Sequence, residues 1–312
     1  MIINYSSKIL ITGSSGFLGK SVTKILRDKG YNNLITFSSK EFDLKSEPQV
    51  KKLFKKYDSI DCVIHIAADI GGIGYSSKFP AQQFYNNTLI NTYMIHYSNI
   101  YKIKKFIGIG SVCEYPEITP LPFKEEDLWN GYPVDTNDAY GLSKRMMLAQ
   151  SIAYKKQFNM NIIHLLMINL YGPGDNFDLE TSHVIPALIR KFVEAKERKN
   201  SNVEIWGSGK VSREFLFVED AAKAIILSMN SYNKINPLNI GTGNEVTIRE
   251  LVELISSIVG YTGSIKYNSN KPEGQKRRVL DISKAKKEIG FLAKTGLKSG
   301  IEKTYKYFIN KK

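Results

Sequence analysis

The chain has 312 residues, 42% hydrophobic and 24% charged, a balance that suits a folded globular protein and excludes a disordered or fibrous one. Two cysteines cannot build a disulfide framework and suit a reducing cytoplasm, and no run of about 18 apolar residues predicts a membrane span. The net charge of +14 comes from scattered lysines without interleaved stacking aromatics, which predicts a solvated surface and an anionic small-molecule ligand, with no nucleic acid and no membrane as partner.

The predicted elements alternate along the first half. A short buried strand over residues 8–12 precedes a helix over 18–29, and a strand over 34–37 precedes a helix over 47–57. The apolar run 62–66 is followed by a long helix over 80–100, the strand 106–110 by a long helix over 138–158, and a fifth strand comes at 162–166. This βαβ rhythm predicts an α/β fold, a doubly wound parallel sheet with helices on both faces. Beyond residue 169 the rhythm changes. A loop over 171–182 leads to a helix beginning near Val184, with short strands at 203–205 and 214–217. A strand at 238–240 is expected to return to the first sheet. The expected division is a dinucleotide-binding domain over 1–170 and a smaller C-terminal substrate-binding lobe over 171–312, interleaved through that returning strand.

The first strand runs into Gly13-Ser14-Ser15-Gly16-Phe17-Leu18-Gly19, a Gly-rich loop between strand and helix. Glycines there permit a tight turn and let backbone approach a pyrophosphate at a helix N-terminus, as in Rossmann-type folds. The second strand ends on Ser38, Ser39 and Lys40 with no acid at its tip, which suits a ribose 2′-phosphate and so NADPH. Asp43, Leu44, Ala67 and Ala68 fall where loops would frame the adenine and pyrophosphate. Ser111 ends the fourth strand, and Tyr140 and Lys144, four apart, share one face of the next helix. An ammonium and a nicotinamide ring are expected to lower the phenol from its usual value of about 10, so that Tyr140 exchanges a proton with a carbonyl or alcohol oxygen beside Ser111. The histidines at 65, 96, 164 and 183 lack close ligand spacing, and no metal is expected.

The ordered set of Gly loop, serine and Tyr-x-x-x-Lys resembles the extended short-chain dehydrogenase/reductase superfamily, and within it the GDP-L-fucose synthase family, over nearly the full length. The segments that carry the likeness are Ala67-Ala68 with Ile70-Gly71-Gly72-Ile73, Gly110-Ser111-Val112-Cys113-Glu114-Tyr115-Pro116, and the run from Asn169 and Leu170 through Gly172-Pro173-Gly174-Asp175 to Ser182-His183-Val184. Trp206-Gly207-Ser208-Gly209, Arg213-Glu214-Phe215 and Asn239-Ile240-Gly241-Thr242-Gly243 complete it. The resemblance implies an enzyme that epimerises a GDP-linked 4-keto sugar at carbons 3 and 5 and reduces carbon 4 with a nicotinamide cofactor. It implies Cys113 and His183 as base and acid, with Ser111, Tyr140 and Lys144 at the carbonyl. Asn169, Leu170 and His183 would border the cofactor; Val112, Asn169, Val184, Lys191, Trp206, Arg213 and Arg278 the nucleotide-sugar. A homodimer built from the two long helices is also implied, although Tyr93, Met94, Tyr97 and Met146 would serve equally as internal core.

Three departures stand out. Ser14 and Ser15 replace a basic residue in the loop, and only Lys40 supplies charge at the second strand's tip, which leaves NADH open beside NADPH. Glu114 replaces an aliphatic residue and is expected to set an anion beside the Cys113 sulfur. A 4,6-dehydratase would carry an Asp-Glu pair where Val112 and Cys113 stand. Two alternatives remain open: a 4-reductase, with or without epimerase activity, of another GDP-4-keto sugar, such as a 6-deoxy-heptose, and a non-catalytic dinucleotide- or nucleic-acid-binding protein on this fold.

Overall fold

The computed structural model describes residues 3–271 and 274–311. The chain opens with β1 (Ile9–Thr12), α1 (Phe17–Asp28), β2 (Leu34–Thr36), α2 (Glu47–Lys56) and β3 (Cys62–His65). A short α3 (Ile73–Lys78) and the long α4 (Pro80–Ile100) lead to β4 (Lys105–Ser111), α5 (Asp138–Phe158), β5 (Ile162–Met167) and β6 (Asn169–Tyr171). Then come α6 (Val184–Glu197), β7 (Asn202–Trp206), β8 (Ser212–Phe217), α7 (Val218–Ser231), β9 (Leu238–Ile240) and β10 (Glu245–Thr247). The chain closes with α8 (Ile248–Val259), β11 (Ser264–Asn268), α9 (Ser283–Ile289) and α10 (Leu297–Lys311).

Six strands form one parallel sheet in the order β2-β1-β3-β4-β5-β9. Its inner strands β1, β3 and β5 are buried at every position, which is why they read as unbroken apolar runs instead of alternating ones. The chain leaves β1 toward β2 on one side and returns to β3 on the other. The carboxyl ends of β1 and β3 therefore flank the crevice where open α/β sheets take ligands. Strand β9 joins the far edge, as expected for residues 238–240. Met94 and Tyr97 are buried in this protein's own core, whereas Met146 on α5 is 43% exposed. No helix among the described residues is long and apolar enough to cross a membrane.

Below the crevice lies a fully buried histidine. Thr12 Oγ1 accepts the N–H groups of Ile66 and Ala67 at 3.1 Å each and lies 2.9 Å from His65 Nδ1. His65 Nε2 is 3.1 Å from Asn91 Oδ1, and Asn91 Nδ2 donates to Ser143 O at 3.3 Å. With the ring proton on Nε2, every contact has a donor and an acceptor. The chain ties β1, β3, α4 and α5 together. Burial, and after it the Lys144 charge, lowers the His65 pKa from 6.5 to about 3.

Residues after β5 build a second core. In it β8 pairs in parallel with β6 and antiparallel with β10, β7 pairs with β11, and α6, α8 and α10 pack around Phe192, Phe215, Leu251 and Ile301. One carboxylate joins its loops. Glu214 on β8 is fully buried and accepts N–H bonds from Thr242, from Gly243 at 2.8 Å and from Leu280 at 2.8 Å. It thereby holds the loops after β9 and before α9 against the strand that carries Arg213.

Two predictions follow from these buried groups. His65 is neutral when folded and titrates near 6.5 when unfolded, so as pH falls the unfolded chain binds the proton first. The stabilisation is complete above about pH 6.5 and drains away toward about pH 3, about 2 kcal/mol of it by pH 5. In urea denaturation at pH 7 and pH 5, His65→Gln should therefore lose about 2 kcal/mol less than the parent between the two; an identical loss would contradict this role. Glu214→Gln turns an NH₂ donor toward donors and should cost about 2–3 kcal/mol in the same assay at pH 7.

Candidate active site

Gly13 adopts φ +67°, and a Cβ there would lie 2.8 Å from Ala67 N. Gly19, one turn into α1, would drive a Cβ into Gly13 O. Only bare backbone fits both positions, so loop, β3 end and helix start close on one another. Gly16 caps α1 without a side-chain hydrogen bond, and no acid occupies the first turn. The free N–H groups and the helix dipole face the crevice, which fits a pyrophosphate.

From this loop a single cleft of ≈ 1350 Å³ runs to β7 and β8. Gly13, Ser15, Gly16, Phe17, Leu18, Gly19, Ser39, Asp43, Leu44, Ala67 and Ala68 line one end of it. Ser14 and Ser38 instead face an adjoining shallow depression with Lys20, Lys24 and Arg27. Lys40 corrects the sequence reading: it is exposed and lines neither space. The backbone turns after β2, with the N–H groups of Glu41 and Phe42 on Ser38 O and Glu41 Oε2 accepting the Ser38 N–H, and this carries Lys40 outward. Lys20 and Lys45 are the cations that line this end of the cleft.

At mid-cleft, β4 ends on Ser111 and turns through residues 112–114, a single 3-10 turn. The Ser111 side chain accepts the Cys113 N–H at 3.2 Å, which leaves its hydroxyl hydrogen free. Tyr140 and Lys144 stand on the neighbouring face of α5, both buried. Lys144 Nζ lies 5.8 Å from the centroid of the Tyr140 ring and donates to Ile109 O at 2.8 Å. Burial lowers the Lys144 pKa to about 8, with Glu114 acting to hold it up. The expected lowering of the Tyr140 phenol does not occur: burial first, then Cys113 and Glu114, push it up, against a hydrogen bond with Ser111. Lys144 spends its proton on a backbone carbonyl and not on the phenol oxygen. Tyr140 is thus a protonated group, suited to giving a proton.

Cys113 faces the cleft, its Sγ 3.0 Å from Asn137 Nδ2 and 3.8 Å from Arg278 Nη1. Glu114 is not beside that sulfur. Its carboxylate is fully buried on the side of the turn away from the cleft, on the Ser111 N–H and His164. Across the cleft, His183 caps α6, and Val184 follows it. The His183 ring is open to the cleft, but the enclosing walls lower its pKa by desolvation. Val112, Asn169 and Leu170 also line the cleft, with Asn169 Nδ2 donating to Glu214 O at 2.8 Å.

At the far end Trp206 is 55% exposed between two cations, Lys191 Nζ at 5.6 Å and Lys271 Nζ at 5.3 Å from its ring. Arg213 donates to Ser212 O, and Arg278 to Gln275 Oε1 at 3.2 Å. The structure therefore brings the expected catalytic and nucleotide-sugar residues to one cleft. Sequence reasoning missed Asn137, which precedes Tyr140 by one turn and reaches the Cys113 sulfur. It also missed the group Asp69, Tyr75 and Asn86 on the cleft wall, where Asp69 accepts from Tyr75 OH at 2.7 Å and Asn86 Nδ2 at 2.7 Å. Asp175, read only as part of a motif, lines the cleft with one buried oxygen that makes no hydrogen bond among the described residues. Burial raises its carboxyl to about 7.

Comparison with known proteins agrees with this geometry. Residues 9–241 match the NAD dependent epimerase/dehydratase family. GDP-L-fucose synthase 1 of Arabidopsis thaliana is 36% identical over 97% of this chain and 94% of its own length. The crystal structure of a GDP-6-OMe-4-keto-L-xylo-heptose reductase from C. jejuni is similar with a TM-score of 0.93 at 31% identity, covering 100% of both chains. MlghC, a GDP-mannoheptose C4 reductase from Campylobacter jejuni with NADP bound, gives 0.87 at 31%, over 98% of this chain and 99% of that one. With a Gly loop at the switch point, a Ser/Tyr/Lys group at mid-cleft and full-length relatives of this kind, the chain is an enzyme of the NAD dependent epimerase/dehydratase family.

Proposed function

We propose that this protein is an NADPH-dependent enzyme that epimerises a GDP-linked 4-keto-6-deoxy sugar at carbons 3 and 5 and reduces it at carbon 4, as a GDP-L-fucose synthase does. The observation that carries the reading is the order of groups along one cleft. A phosphate-binding loop lies at one end, Lys191, Trp206, Arg213 and Arg278 at the other, and Ser111, Cys113, Tyr140, Lys144 and His183 between them. The far-end cations would oppose the diphosphate charge and Trp206 would pack on the base or sugar, which makes residues 171–312 the main substrate-binding lobe. Serines 14 and 38 stand in a depression with Lys20, Lys24 and Arg27 against Asp28 and Glu41, a cationic excess that favours a 2′-phosphate, and so NADPH over NADH.

The bound nicotinamide supplies the hydride for carbon 4. Tyr140 gives its proton to the carbonyl oxygen as that oxygen takes up the C=O electron pair, and the Ser111 hydroxyl donates to the same oxygen. For epimerisation, the Cys113 thiolate removes a proton alpha to the ketone. The C–H pair becomes an enolate whose oxygen rests on Tyr140 and Ser111. His183 returns a proton on the opposite face. Exposed Tyr85, Ile100, Met146 and Phe158 on α4 and α5 offer a face for a homodimer, and the two-cysteine composition suits the cytoplasm. A second reading has one specific support. The likeness to the C. jejuni heptose reductase over both whole chains favours a GDP-4-keto-heptose as substrate of a 4-reductase, with or without epimerisation.

The test is turnover of NADPH and GDP-4-keto-6-deoxymannose in heavy water, followed by absorbance and product mass. Oxidation with deuterium gained at two sugar carbons is expected. Oxidation without it would leave a plain 4-reductase, and no oxidation would move the substrate to a longer GDP-keto sugar. Tyr140→Phe should reduce turnover by at least about a hundredfold while dinucleotide affinity stays within about threefold. Cys113→Ser should suppress deuterium gain while sparing some reduction; wash-in equal to the parent's would remove Cys113 as the base.

A further inference from the structure

Glu114 and His164 form a buried pair that neither binds the sugar nor lines the cleft. Both side chains have no exposed surface. Glu114 Oε1 accepts the Ser111 N–H at 2.8 Å, and both carboxylate oxygens lie 3.0 Å from His164 Nε2. His164 Nδ1 makes no hydrogen bond among the described residues, so the ring proton sits on Nε2 and is given to the carboxylate. Beyond the ring, the carboxylate acts on two cations of α5, Lys144 and Arg145. Burying an unpaired carboxylate is costly, so a cation has to answer it.

The backbone is built around this pair. A Cβ at Gly110, on the strand just before Ser111, would overlap both His164 Nε2 and Glu114 Oε1. The Ser111 side chain caps the Cys113 N–H while the Glu114 side chain caps the Ser111 N–H, a reciprocal capping box around a turn of three residues. Ser111, the side chain that would meet the sugar ketone from β4, is therefore held through its backbone by Glu114.

The charges are arranged to match. Around Lys144 stand the Tyr140 ring, its centroid 5.8 Å from Nζ, and Ile109 O at 2.8 Å, with the Glu114 carboxylate and the His65 ring in reach of its charge and Arg145 next to it on α5. Of these, Arg145 is a second cation, held by Glu114 O and Gly131 O, and His65 is kept neutral by burial. Glu114 is the anion whose field acts on Lys144, Arg145 and Tyr140 alike. Burial alone would lower the Lys144 pKa further. The carboxylate opposes that.

We propose that Glu114, oriented by His164, is a positioning residue for the reduction: it holds Ser111 by its backbone and is the counter-charge that keeps the Lys144 ammonium protonated beneath Tyr140. The proposal rests on the reading of Ser111, Tyr140 and Lys144 as the carbonyl site. It adds no group to that site and explains why a carboxylate stands where the resemblance leads one to expect an aliphatic side chain.

The experiment titrates Lys144 directly, by carbon-13 NMR of full-length protein labelled at lysine Cε, with the signal assigned through Lys144→Arg. In the parent the midpoint is expected at about 8. Glu114→Gln retains an acceptor for the Ser111 N–H and loses the charge, so the midpoint should fall by about one unit or more. Protonated Lys144 is the active form, so the alkaline limb of the kcat–pH profile should move the same distance toward acid. Glu114→Asp keeps the charge and loses reach; its midpoint should stay with the parent's while kcat drops about tenfold or more as Ser111 loosens. A Gln variant whose lysine midpoint and pH profile coincide with the parent's would overturn the proposal. So would an Asp variant whose midpoint falls as far as that of Gln. Because the titration needs no sugar, a parent inactive on GDP-4-keto sugars would refute the proposed function while leaving the role of Glu114 decided by the lysine signal.

Discussion

The carboxyl edge of this sheet depends on backbone meeting backbone where no side chain would fit. Gly13 closes on Ala67, Gly19 on Gly13, and Gly141 of α5 on the carbonyl of Cys113. The first two contacts leave a loop of open N–H groups at a helix start, which is what a pyrophosphate requires. The third presses α5 against the turn after Ser111, so that Tyr140 comes within hydrogen-bond range of Ser111 while Lys144 reaches Ile109 O. A methyl group at any of these glycines would separate the binding and reacting halves of the cleft.

Beneath that edge the protein buries an unusual number of ionisable groups, each with a defined answer. Lys105 places its ammonium on the carbonyls of Ser228, Met229 and Tyr232 at the end of α7, where helix carbonyls are short of donors. Glu214 gathers three backbone N–H groups from two distant loops. His65 is kept neutral between a hydroxyl and an amide. Burial lowers Lys105 and Lys144 alike to about 8, but Lys105 has several oxygens around it, whereas Lys144 bonds the Ile109 carbonyl and takes its balancing charge from Glu114. A lysine balanced in this way titrates near physiological pH, which is the property a proton-handling site needs.

The two lobes divide the work by charge. In the proposed reading the first would offer helix dipole and backbone donors to one anion, and the second Lys191, Arg213 and Arg278 to another. Between them the reacting groups are mostly uncharged or internally balanced. The reading of Tyr140 changed for this reason. From sequence, an ammonium four residues away should acidify the phenol. In the fold, the lysine turns to Ile109 and the phenol is desolvated, so it holds its proton.

Much of this was legible in the chain itself. Helix and strand periods placed the first nine elements, apart from the six-residue α3, to within a residue or two. The spacing of Gly13, Gly16 and Gly19, and of Tyr140 and Lys144, carried the cleft's chemistry, because strand-to-helix turns and helix faces are local matters written in neighbouring residues. Side-chain direction and long-range pairing were not legible. Lys40 lies at the tip of β2 yet points to solvent because a turn behind it closes on Ser38. Glu114 adjoins Cys113 in sequence yet turns away from it, because His164, 50 residues later on β5, waits below the strand. Asn137 reaches the sulfur, and Glu214 joins its own motif to residues 241–243 and to Leu280. The order of elements and the residues able to do chemistry are local and can be read along the chain; what each residue faces follows from the fold, because buried charges choose partners across the sheet and not along the chain.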